Sequence, residues 1–305
     1  DQFDVSDSLA DRTVEMNPSD PAGYITRAAS MLARMTDAEE NLFGDGFRKL
    51  LDTITSLCEK ELMTADSPRK AWLYLFLGHA QAYRSLYDSK FGSSYHSVRI
   101  GLRTRSSYAA GLERDSSLTD LYFGLGSYHY WKSVKAGLFR WIGLFHNDIQ
   151  LGIDELRLTA DSSLFSQDIS RAALAWIWLD REKYDSVVAA VEPLITKYLS
   201  GKSFLWPLAK ARFDAKDFGG AKAAYLRLRE RLEANPGNYQ NIIECDYYLA
   251  KCHEALSEPT LASTEATRIR DYEKYVPGHV RERQSDKIRY LKRLAESVES
   301  TASAE

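Results

Sequence analysis

Cysteine is scarce in this chain, with three among 305 residues. An odd number leaves at least one thiol unpaired. Cys245 and Cys252 lie on one predicted helix, roughly 10 Å apart along its axis and beyond disulfide reach. Cysteine usage therefore does not fix a redox compartment. Glycine and proline are also sparse, at 17 and 8 residues. With Ala, Leu, Arg, Glu and Tyr plentiful, this favours helix over sheet. No alternation of apolar and polar residues is long enough to propose a sheet. No apolar stretch reaches the length of a bilayer; the longest, Ala136 to Phe145, is too short and carries Arg140. The formal net charge is only −3, so nothing draws the chain globally to nucleic acid or acidic membranes. It opens on Asp1 rather than Met, as expected of a mature form.

Recognisable chemistry is missing as well. There is no Gly-rich phosphate loop, no HExxH, no paired CxxC and no strand-turn-helix around a serine. Gly219-Gly220-Ala221-Lys222 lacks the spacing of a phosphate loop and falls at a turn between helices. The histidines are scattered. His129 and His253 fall where a core ring is expected, so packing is favoured over catalysis. Cys245, Cys252 and His253 make a poor metal set, because His253 points about 100° away from Cys252 around the helix. The expectation is no enzyme, no cofactor and no metal.

The stretch Leu205 to Pro236 carries the most information. Leu205, Leu208, Ala209 and Arg212 share one helix; Lys216-Asp217 turns; Phe218, Ala221, Tyr225 and Leu228 share a second; Pro236 ends the unit. Small residues fall where two backbones must approach, and large ones fill the gaps around them. The spacing resembles a tetratricopeptide repeat, with Arg212 replacing the usual aromatic. Related spacings appear at Tyr24–Met31, at Phe76–Tyr83, and at Tyr122, Leu125, Gly126 and His129. They recur at Ile169, Ala172, Ala173 and Trp176, and at Asp246, Leu249, Ala250 and His253. The paired helices include one from Glu39 to Leu62, and a last helix runs from His279 to Val298. The resemblance implies an all-α solenoid of antiparallel helix pairs, a TPR-like right-handed superhelix with one concave face. Residues 1–298 would form a single domain of about six units, followed by a disordered tail over 299–305. An apolar insertion over 133–147 interrupts one unit. The longer early helices resemble bacterial repeat proteins in which a segment like YHYWKS precedes an aromatic insertion. That likeness implies an exported protein, periplasmic or attached to the envelope, with lipid anchoring or peripheral membrane association open and the cytoplasm as the alternative.

In this family the first helix of each pair lines the groove. Positions counted from each small residue give a candidate surface of Arg84, Phe123, Tyr130, Trp131, Trp178, Trp206, Lys210, Tyr247 and Lys251. Aromatic rings with interspersed cations suit an extended peptide or protein segment. Packing between helices is an equally good use for the same rings. The regular Lys/Asn/Arg set that clamps a peptide's terminal carboxylate in some relatives is missing. The insertion residues Leu138, Phe139, Trp141, Ile142, Leu144 and Phe145 either plug the groove or form a lip against a partner or membrane. Two functions follow: a non-catalytic scaffold that binds a peptide in the groove, or a transport-associated envelope protein with a small apolar ligand in a pocket closed by the insertion. The basic residues of the last helices are interleaved with acidic ones and read as a solvated face, with no nucleic acid expected.

Overall fold

The computed structural model describes residues 2–92, 94–135, 147–234 and 237–302. Every regular element among them is helical, and no strand occurs among the described residues. Residues 136–146 lie outside this set, and with them Leu138, Phe139, Trp141, Ile142, Leu144, Phe145 and both placements expected for the insertion. Pro236 and residues 303–305 lie outside it too. The chain divides into two compact units, Gln2–Leu174 and Ala175–Glu305.

The first unit holds α1 (Phe3–Met16), α2 (Pro21–Ala38), α3 (Gly44–Leu62), α4 (Ser67–Phe91), α5 (Ser94–Arg114), α6 (Leu121–Lys135), α7 (Ile149–Ser162) and the start of α8 (Gln167–Asp180). From α2 to α7, each helix packs against the one before it. Helix starts follow the sequence signals: the Asp20 and Asp66 carboxylates accept the backbone N–H of Ala22 and Arg69, and a proline occupies the first turn of each helix. The helix expected from Glu39 starts later, at Gly44. Glu39 takes a left-handed conformation, φ 57°, which ends α2 and pushes the next start onward. The core between α2, α3 and α4 is built on Ala28, Met35, Phe47, Leu51, Ile54, Leu73 and Tyr87.

Close approaches between helices fall at glycines. Tyr108 on α5 is fully buried in a slot between Gly78 on α4 and Gly124 on α6. A Cβ at Gly78 would come within 2.5 Å of that ring, and one at Gly124 would overlap it. Where α6 meets α7, a Cβ on Gly126 would lie 2.8 Å from the carbonyl oxygen of Gly152. These approaches leave no room for alanine.

The second unit continues α8 and adds α9 (Tyr184–Lys197), α10 (Leu205–Asp214), α11 (Phe218–Glu233), α12 (Tyr239–Ala255), α13 (Pro259–Thr267), α14 (Ile269–Tyr272), α15 (Gly278–Arg283) and α16 (Ser285–Ala302). The helix read from His279 to Val298 is in fact two, divided at Gln284, and α16 continues to Ala302, past the start of the expected tail. The core runs through Ala175, Val187, Leu205, Ala209, Ala221, Tyr225, Leu228, Cys245 and Leu249. A second cluster holds α16 to α12 through Ile243, Ala250, Ile288, Leu291 and Ala295.

Three turns in this unit share one geometry. Glu182, Lys216 and Ser257 are all left-handed, at φ 56°, 64° and 60°. In each, the residue after the turn donates its N–H back five positions: Lys183 to Trp178, Asp217 to Arg212 and Glu258 to His253, at 2.8, 2.8 and 2.9 Å. The left-handed residue itself donates three positions back, to Leu179, Phe213 and Glu254, at 3.0, 2.9 and 3.0 Å. This is the Schellman ending of a helix, which satisfies carbonyls that the last turn would otherwise leave bare. A side-chain contact spans each turn: Lys183 over the Trp178 ring at 5.3 Å, Arg212 to Asp217 at 3.8 Å, and His253 to Glu258 at 2.6 Å.

Candidate ligand-binding face

The shared turns fix which residues of α8, α10 and α12 are equivalent. Trp178 matches Arg212 and His253, so Ala175 matches Ala209 and Ala250. All three alanines are fully buried. The register read at Ala173 is therefore two residues early. The run AALAWIW offers two alanine-tryptophan registers, and packing selects the second. Ile169 and Trp176, read as core, are 55% and 42% exposed. Trp178, expected in the groove, instead packs against the core with Lys183 above it. The residue after each buried alanine then supplies a matched set: Trp176, Lys210 and Lys251.

Around the two lysines runs a continuous row of rings. Phe213 meets Tyr248 edge-on at 4.9 Å, Tyr248 meets Tyr247 at 5.2 Å, and Tyr247 meets Tyr290 of α16 at 5.0 Å. Tyr225 stacks flat on Tyr248 at 5.0 Å and supports the row from beneath. Ammonium groups lie over these rings: Lys210 over Tyr248 at 5.7 Å, Lys251 over Tyr247 at 5.7 Å and Tyr290 at 4.7 Å, and Lys287 over Tyr247 at 5.9 Å. Such contacts hold a charged group over an apolar surface without removing it from water. Lys210 also reaches Asp214 at 3.2 Å, and Lys287 reaches Glu244 at 2.6 Å. Burial works against the charge on Lys210, but Tyr248 and Asp214 outweigh it and its pKa rises. Tyr290 donates its hydroxyl to Glu254. Burial and that bond push the phenol's pKa up. Trp206 is half-buried against the same core. Tyr290 has no signal in the sequence and Lys287 reads there as part of a solvated basic face, because both lie on α16, outside the repeat pattern.

In the first unit the candidates are scattered. Arg84 is committed to Asp52 at 2.5 Å and to the Arg48 carbonyl at 3.0 Å. Tyr130 is fully buried and cannot touch a ligand. Its backbone lies against Gly152, where α6 and α7 meet closely. Phe123 is half-buried, and Trp131 is 41% exposed with its indole edge-on to Tyr130 at 5.1 Å.

The histidines read as core are core. His129 pairs with Glu155 at 2.6 Å, both buried, and His253 with Glu258. A polar network beneath the face escaped the sequence reading. Asp246 is fully buried, with Arg229 at 3.0 Å, Arg268 at 3.4 Å and the Tyr272 hydroxyl donating at 2.9 Å. Arg229 also bonds to Glu265 on α13. Burial raises the pKa of Asp246 against the pull of Arg229 and Arg268. Burial likewise opposes the Arg229 charge, but Glu265 and Asp246 outweigh it and its pKa rises.

Among the described residues, no group of three or more His, Cys, Asp or Glu is placed to hold a metal ion, and no helix is long and apolar enough to cross a membrane. The architecture is that of an all-α protein built like a helical repeat, with consecutive helices stacked on their neighbours. No protein-family model matches the chain, and no curated protein is detectably similar to it in sequence.

Proposed function

We propose that this protein is a tetratricopeptide-like interaction module without chemistry of its own, and that its second unit binds an extended peptide segment across α8, α10 and α12. The observation behind this reading is the matched placement of Trp176, Lys210 and Lys251 after three equivalent buried alanines, with one row of aromatic rings around the two lysines. Repeating positions suit a ligand that also repeats, and an extended chain presents side chains at regular intervals. The row is braced from below by Tyr225 and by the buried alanines, so little side-chain freedom is lost on binding. Export to a bacterial envelope is the setting that the sequence resemblance implies.

Panning a displayed random-peptide library against the full chain tests the reading. A family of related peptides should be enriched. Trp176→Ala and Trp206→Ala should each weaken their binding by about tenfold, the loss typical of a central aromatic contact, with helical circular dichroism unchanged. Failure to enrich any peptide, or wild-type affinity in both variants, overturns the proposal.

A further inference from the structure

We infer that Lys251 anchors an acidic side chain, aspartate or glutamate, carried within the peptide that this face binds. The inference rests on the reading above and names the chemistry of the ligand. Its ground is a difference among three otherwise similar cations. Lys210 has Asp214 at 3.2 Å and Lys287 has Glu244 at 2.6 Å. Lys251 lies over two tyrosine rings, at 4.7 and 5.7 Å, and has no carboxylate within ion-pair distance among the described residues. Glu254, three residues further on, is engaged by the Tyr290 hydroxyl instead. Ring faces position an ammonium group but are only weak acceptors of its N–H groups, so Lys251 is held in place without a strong acceptor among the described residues. A carboxylate brought there gains a charge-assisted bond to a cation that is already positioned. Lys287 also lies over Tyr247, at 5.9 Å, but its charge is matched by Glu244.

The aromatic row favours a side chain within the segment over a chain end. Phe213 and Tyr248 lead along the row to Tyr247 and Tyr290, the two rings over which Lys251 lies. A peptide that covers all four rings runs past Tyr247 to reach Tyr290, so it meets Lys251 along its length. The interleaved carboxylates Asp214, Glu244 and Glu254 would repel the dense, regular charge of a nucleic-acid backbone. A single acidic residue flanked by apolar ones fits the alternation of the face.

The test is a double-mutant cycle on peptides enriched against the full chain. Affinities are measured by fluorescence anisotropy for the wild type, Lys251→Met and Lys287→Met. One acidic position in the peptide should, on changing to its amide, cost about fivefold with the wild type and Lys287→Met, and under about twofold with Lys251→Met. Amidating the peptide's C-terminus should change nothing. Enriched peptides that lack acidic residues, or an equal cost in the wild type and Lys251→Met, overturn this inference and leave peptide binding standing. A loss on C-terminal amidation that disappears in Lys251→Met overturns the assignment to an internal side chain. Failure to enrich any peptide overturns both.

Discussion

His79 on α4 stacks on Tyr83 at 5.8 Å and is hydrogen-bonded through Nδ1 to Tyr108 at 2.7 Å. Burial pushes its pKa down to about 4, only partly opposed by the charge of Asp120. A histidine whose folded pKa lies below its unfolded value of 6.5 contributes stability that is complete above 6.5 and is lost as pH falls towards 4. At pH 4.5 the loss should be about 2.5 kcal/mol. His79→Asn keeps an acceptor near the Nδ1 position but cannot titrate. Urea denaturation at pH 7 and pH 4.5 should show a smaller difference for the variant than for the wild type. An unchanged difference would mean that other groups carry the acid sensitivity. Asp120 shows the same economy of contacts: its buried carboxylate accepts the N–H of Leu164, Phe165 and Ser166, at 2.8 to 2.9 Å, and fixes the entry to α8. Neither role is visible in the sequence. The partners of Asp120 lie more than forty residues away, and nothing about a histidine or an aspartate announces a distant partner.

Helices, by contrast, were legible, because spacing of apolar residues and proline punctuation are local signals. The failures come where local signals tie. AALAWIW supports two registers on α8, and only packing against Val187 and Ala209 chooses Ala175. Lys216-Asp217 reads as a turn, but the Schellman geometry shared by the three turns was hidden because Glu182, Lys216 and Ser257 are not glycines. Each adopts a left-handed conformation that costs an L-residue about 1–2 kcal/mol. Lys216→Gly should therefore stabilise the protein by about 0.5–1 kcal/mol, after the greater freedom of glycine in the unfolded chain is set against that relief. Ala215→Gly, at an ordinary φ of −73°, should destabilise it. Thermal or urea midpoints of the two variants make the comparison. Stabilisation by both, or by neither, would count against this account of the turn. Of the candidate surface, Lys210, Tyr247 and Lys251 come together with Trp206 nearby, because they follow repeats whose register was correctly read. Trp178 and Tyr130 drop out where the register slipped or where glycines drew two helices together.

At the scale of the molecule, contacts between neighbouring helices make stability largely a sum of local terms. The thiols offer a way to see this. Cys58 lies in the first unit; Cys245 and Cys252 lie in the second. All three are buried, and burial raises their pKa values, Cys58 and Cys252 to about 12. None should react with a thiol reagent in the folded protein at neutral pH. Arg229→Leu leaves Asp246 and Glu265 without their shared cation and should cost about 3 kcal/mol. Labelling of Cys245 and Cys252 should then begin at lower urea, while Cys58 keeps its midpoint. A common shift of all three thiols would show instead that the chain unfolds in one step.

The three matching turns also bear on how such a chain can change length. Residues 183–216 begin and end at the same point of that turn, so a duplication or loss of this segment rejoins the backbone in a conformation it already uses. A gene can therefore grow or shrink by this cassette without inventing a new junction. Each such event adds or removes one rung of the proposed binding row. The reach of the surface along its ligand would then evolve in whole steps, while the chemistry at each remaining rung stays as it was.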